Sequence, residues 1–168
     1  VVGGGDKDNA KSIAFNDDGN KMFIAVNQTY VYEWNLPEPY NLATPTLSSS
    51  APADNATGVL VDANIVLTFS EAMDAESGNI EIYKTSDNTN PVETIDVTSS
   101  KVTGTGTTTI TINPSSDLEE NTEYYVLIDS TAFDDGSDAS YAGITSTTAL
   151  SFTTANSAPT LVSSVPAD

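Results

Sequence analysis

From residue 64 to residue 154, apolar and polar side chains alternate in short runs separated by turn-forming residues, the pattern of strands rather than helices. Residues 64–69 put Ile65, Leu67 and Phe69 on one face, and residues 79–84 do the same with Ile80 and Ile82. Residues 107–113 alternate threonine with Ile110 and Ile112. Residues 123–129 align Tyr124, Val126 and Ile128, and residues 149–154 align Leu150 and Phe152. Turn-rich stretches at 74–78, 86–91, 104–106 and 134–140 separate these runs. Residues 71–76 have helical character but are long enough only for a turn. Nearer the N-terminus, residues 12–15 and 21–24 flank Asp17-Asp18-Gly19-Asn20, a hairpin signal, and residues 30–36 read as a third strand. Short strands at regular spacing without helices predict an all-β fold, a sandwich.

A repeat divides the chain. Residues 45–54 read PTLSSSAPAD and residues 159–168 read PTLVSSVPAD, identical at eight of ten positions with an offset of 114 residues. Recurrence at a domain-sized period is the mark of a tandem array. Three parts are expected: residues 1–44, a sandwich over 45–155, and a linker with the start of another copy over 156–168. Pro45 and Pro159 precede the two copies and read as semi-rigid joints.

The run Pro52-Ala53-Asp54-Asn55-Ala56-Thr57-Gly58-Val59, followed by Ile65-Val66-Leu67-Thr68-Phe69-Ser70-Glu71-Ala72-Met73-Asp74, resembles the opening of bacterial Ig-like repeats of the type found in S-layer proteins. Leu118 with Asn121-Thr122-Glu123-Tyr124-Tyr125-Val126 is similar to that family's penultimate strand. Ala132-Phe133-Asp134-Asp135-Gly136, Tyr141-Ala142-Gly143-Ile144 and Leu150-Ser151-Phe152-Thr153-Thr154 match its last part. The resemblance implies an Ig-like β-sandwich used as a spacer in surface layers, adhesins and exported enzymes, with no catalytic residues. One departure is that Gly136 is followed by Ser137-Asp138-Ala139-Ser140, where members often carry a Gly-Asn pair. Residues 1–44 are similar instead to one blade of the β-propeller repeats of bacterial surface proteins, and a single blade buries too little to stand alone.

Charge narrows the function classes. Twenty-four acidic residues face five lysines, a net charge of −19. Such a surface repels nucleic acids and anionic membranes. No apolar run approaches the roughly 18 residues of a membrane span. The N-terminal residues, with Gly3-Gly4-Gly5, do not read as a signal peptide. There is no cysteine and no histidine, which removes thiol nucleophiles, Ser-His-Asp triads and the usual zinc ligands. Gly3-Gly4-Gly5 lacks the setting of a phosphate loop. With so many carboxylates, proximity of two of them carries no specificity for glycoside hydrolysis. The chain therefore reads as no enzyme.

Calcium is the cofactor the sequence supports, because it takes six to eight oxygen ligands. Asp134, Asp135 and Asp138 place three carboxylates within five residues, and Asp54 with Asp74 or Glu71 is expected to join them near a domain end. The alternative is a solvated acidic turn. Tyr30, Tyr32, Trp34 and Tyr40 cluster in the first 44 residues, as core or as a stacking face. Tyr124, near the start of its strand, has the place of a tyrosine corner. Asn27 and Asn55 each open a glycosylation sequon.

These readings point to a spacer or stalk repeat of a large extracellular or cell-surface protein, with neighbouring repeats as its partners. Two rival readings are a ligand- or carbohydrate-binding module of an adhesin and the subunit of a filament built by strand addition. Other copies or a surface ligand would then be partners too.

Overall fold

A computed structural model describes residues 10–16, 21–26, 30–35, 44–137 and 139–156. The chain forms two compact units, Val1–Ala43 and Thr44–Asp168. Strands and no helix occur among the described residues.

In the first unit β1 (Ala10–Phe15), β2 (Lys21–Val26) and β3 (Tyr30–Asn35) form an antiparallel sheet in the order β1-β2-β3. Asn16 closes the first hairpin, its Oδ1 accepting the Lys21 N–H at 2.8 Å. Lys21 pairs with Glu33 at 2.6 Å across the second. The turn at Asp17-Asp18-Gly19-Asn20 lies outside the described residues.

The second unit has β4 (Leu47–Ala51), β5 (Ala56–Val59), β6 (Ile65–Ala75), β7 (Asn79–Lys84), β8 (Glu93–Asp96), β9 (Val102–Thr103), β10 (Thr107–Ile112), β11 (Glu123–Ile128), β12 (Phe133–Asp135) and β13 (Ser151–Thr154). One sheet runs β12-β6-β10-β9, with β4 also on β6, and the other runs β5-β13-β11-β7-β8. All the pairs are antiparallel except β5 with β13. The inward faces are the apolar positions of the alternation: Ile65, Leu67, Phe69, Ile110 and Ile112 from the first sheet, and Ile80, Ile82, Tyr124, Val126, Ile128 and Phe152 from the second. They make one buried cluster. Two antiparallel-rich sheets closing on a single core are an Ig-like sandwich.

The expected helical turn at 71–76 is strand. β6 continues to Ala75, and its pairing with β10 jumps from Thr109↔Thr68 to Thr107↔Met73. The extra residues bulge out, and a bulge bends a strand and ends one pairing. β4 pairs with β6 before the bulge and β12 after it. The run Ser70-Glu71-Ala72, with no large apolar side chain, broke the alternation and so hid the continuing strand. The expected turn at 134–140 also begins as strand, since Phe133–Asp135 is β12 and Asp134 bridges Ser140.

Two glycines are required by geometry. Gly104, between β9 and β10, has φ +99°, and a Cβ there would collide with the Thr109 carbonyl oxygen. Gly143, at φ +76°, lies against the Ile128 carbonyl in the same way.

Candidate functional site: the acidic residues and the open sheet face

Three of the aspartates share one local habit. Asp87 Oδ1 accepts the Thr89 N–H at 3.0 Å and its hydroxyl at 2.6 Å. Asp96 Oδ1 does the same with Thr98, at 2.8 and 2.7 Å. These bonds hold both carboxyls below the usual aspartate range, the threonine hydroxyl contributing most. Asp135, only 4% exposed, accepts the Ser137 and Ala139 N–H groups on Oδ1 at 2.8 and 2.9 Å, closing the loop after β12. The shared signal is Asp-x-Ser/Thr, the sequence of an Asx turn, which the charge count alone conceals.

Glu93 is the most engaged of the acidic side chains. It meets Lys101 Nζ at 2.7 Å and the Ser115 N–H at 2.8 Å, and it accepts the Ser115 hydroxyl. Burial pushes its carboxyl up, but Lys101 and the two Ser115 donors outweigh burial and hold it below the usual range.

The expected calcium ligands are divided. Asp54 Oδ1 accepts the Ser151 N–H at 2.9 Å and its hydroxyl at 3.1 Å, while Oδ2 accepts Asn55 Nδ2 at 2.7 Å. It thereby ties the segment between β4 and β5 to the start of β13. Asp74 accepts the Thr105 hydroxyl at 3.0 Å, and Asp134 stands opposite Asp74 in the β12–β6 ladder. Asp54 follows Ala51, which faces Val66. Asp74 lies eight residues further along β6, on the order of 20–25 Å at the usual rise of a strand. So Asp74, Asp134 and Asp135 share one region, and Asp54 belongs to another. Glu71 lies in the β6 bulge, and Asp138 lies outside the described residues. Among the described residues no group of three or more metal-ligating side chains is gathered.

The aromatics of the first unit are on its surface. Ile13, Ile24 and Tyr32 form one cross-strand row, and Phe15, Met22 and Trp34 the next, on the same face. Ile13, Phe15, Tyr32 and Trp34 are exposed. Tyr30's side chain and Tyr40 fall outside the description, as do Asn27 and residues 157–168. Tyr124 does form the expected corner: its ring is fully buried, and its hydroxyl accepts the Glu119 N–H at 2.9 Å.

The sandwich, its tyrosine corner and its single core define an Ig-like module. The bacterial Ig-like domain family matches residues 42–154, and the chain belongs to that family. Among solved structures, the crystal structure of the S-layer protein rSbsC(31-844) is similar over 70% of this chain and 14% of that one, at 19% identity and a TM-score of 0.41. No curated protein matches the chain. The propeller-blade likeness of residues 1–44 finds no support, since the family match begins at residue 42. The described strands there form a plain three-stranded sheet. No helix among the described residues is long and apolar enough to cross a membrane.

Proposed function

We propose that the chain is a non-enzymatic structural repeat of a larger extracellular or cell-surface protein, in which Ig-like sandwiches stand in series as a stalk. The repeated decapeptide carries this reading. In the copy at 45–54, Leu47 packs against the core, Ser50 Oγ donates to the Pro52 carbonyl at 2.8 Å, and Asp54 caps β13. The second copy keeps those residues as Leu161, Ser164, Pro166 and Asp168, and differs only at 162 and 165. What recurs is therefore the set of residues that starts a sandwich. Repeats of this kind contact mainly their neighbours, so stalk length follows copy number.

The test is a chain carrying several sandwiches at the natural 114-residue spacing. Pulled singly, each copy is expected to unfold in a separate step, lengthening the molecule by roughly 375–410 Å less its folded length. In solution scattering the maximum dimension should grow steadily with copy number. A dimension that stays constant as copies are added would overturn the stalk reading.

The face of Ile13, Phe15, Tyr32 and Trp34 favours a second role for the first unit. A three-stranded sheet with one wholly apolar face reaches full stability only when that face is covered. We read it as an interface for another β-sheet of the same larger protein, with a second copy or a surface ligand as rival occupants. Trp34 is the chain's one tryptophan, so its emission reports coverage directly. A blue shift with rising protein concentration would assign the face to a second copy. A shift on adding the neighbouring part of the protein would assign it to that part.

A further inference from the structure

The geometry points to a binding site for a neutral sugar on the outer face of the β5-β13-β11-β7-β8 sheet. Its floor is Tyr125. That side chain stands on the face opposite core-facing Tyr124 and Val126, yet the residue is only 3% exposed. Tyr83, its partner across the ladder, covers one side of the ring, with centroids 5.1 Å apart and planes within 4°. Tyr125 lines a cavity of about 360 Å³, near the low end of the range for small-molecule sites. Its hydroxyl makes no hydrogen bond within the protein. The hydroxyl oxygen is open to the cavity, where it is free to bond a ligand.

The walls supply the rest of a polar site. Thr85 and Glu123 stand side by side at the ends of β7 and β11, the Thr85 hydroxyl donating to Glu123 Oε2 at 3.0 Å. Asn55, at φ 60° just before β5, lines another side. Asn88, Thr147 and Thr148 line it from two loops, and Ser151 from the start of β13.

The lining selects the ligand class. No lysine lines the cavity, and Glu123 adds negative charge to a chain of net −19, so an anion is repelled. Amides and hydroxyls present donors and acceptors together, as the adjacent hydroxyls of a sugar require. Tyr125 reaches the cavity chiefly with its hydroxyl, because Tyr83 covers its ring and the residue is only 3% exposed. An organic cation would have only Glu123 to pair with. That carboxylate is exposed and already accepts a hydroxyl, so the ion pair would add little. This site shares no residue with the open face of the first unit and does not depend on the stalk reading.

The test is amide NMR of the full, isotope-labelled chain titrated with glucose, galactose and N-acetylglucosamine, with ethylammonium chloride and sodium acetate as controls. At least one sugar is expected to give saturable shifts centred on Asn55, Asn88, Tyr125, Thr147 and Thr148. Tyr125→Phe removes only the hydroxyl and should weaken that binding roughly tenfold. Asn88→Ala, on an exposed loop, should weaken it too and leaves a second readout if the Tyr125 variant folds poorly. Absence of saturable shifts with all three sugars would overturn the proposal, and so would saturation by ethylammonium alone. Unchanged sugar affinity in both variants would place the binding elsewhere.

Discussion

Tyr124 shows one side chain doing two things at once. Its ring belongs to the core, stacked near Phe152 at 6.0 Å, while its hydroxyl holds the backbone at Glu119. Tyr124→Phe keeps the ring and leaves that N–H without its partner. The expected loss is about 1–2 kcal/mol in a denaturant melt, and an unchanged midpoint would deny the corner any structural role. Glu93 gives a residue-scale effect that depends on pH. Its carboxyl is depressed in the fold, so the unfolded chain binds that proton more readily. The stabilisation is then complete above the unfolded value of about 4.3 and is lost as pH falls through the lower folded value. Glu93→Gln should lower stability at neutral pH and flatten the acid side of the stability curve. Curves that run parallel from neutral pH down into acid would show that Lys101 and Ser115 contribute nothing through the charge.

At the scale of elements, the strands that strict alternation marks are those whose inward residues meet the opposite sheet. Phe69 touches Tyr141 edge-on at 5.1 Å and Phe133 at 5.7 Å, and Ile112 is fully buried in the same sheet. Phe69→Ala and Ile112→Ala should each cost roughly 2–5 kcal/mol in equilibrium unfolding, since each leaves a cavity between the sheets. Neutrality of either would contradict the core described above. The elements that alternation missed were hidden for different physical reasons. β4, β5 and β8 are edge strands; β4 and β5 are rich in Ser, Thr and Ala, and β8 buries only Ile95, so none has an apolar stripe. β9 and β12 are two and three residues long, too short for a period to show. The bulge in β6 broke the pattern where the strand changes partners. The acidic residues were legible as charge but not as structure. For Asp87, Asp96 and Asp135 the bonding follows from a local signal, a Ser or Thr two residues on. Asp54 is different, because its partner Ser151 is 97 residues away and only the closed sandwich brings them together.

For the whole molecule the dominant fact is a net charge of −19. Like charges at this density repel one another more in the compact state than in the extended chain, so screening should favour folding. The melting temperature is therefore expected to rise with added sodium chloride. Calcium poses a sharper question, because a specific ion would add free energy beyond screening. The carboxylates whose partners are seen already bond to the protein itself: Asp54 to Ser151, Asp74 to Thr105, and Asp135 to its own loop. Binding an ion through them would compete with those bonds. Calcium and magnesium at equal ionic strength should then raise the melting temperature by the same amount, and a chelator should remove only that amount. A rise that belongs to calcium alone and saturates would instead reveal a specific ion. It would place the ion where Asp74 faces Asp134, the one cross-strand carboxylate pair among the expected ligands. Asp74→Asn and Asp134→Asn would then each abolish the calcium-specific part, while Asp54→Asn, at the far end of the strand, would leave it intact.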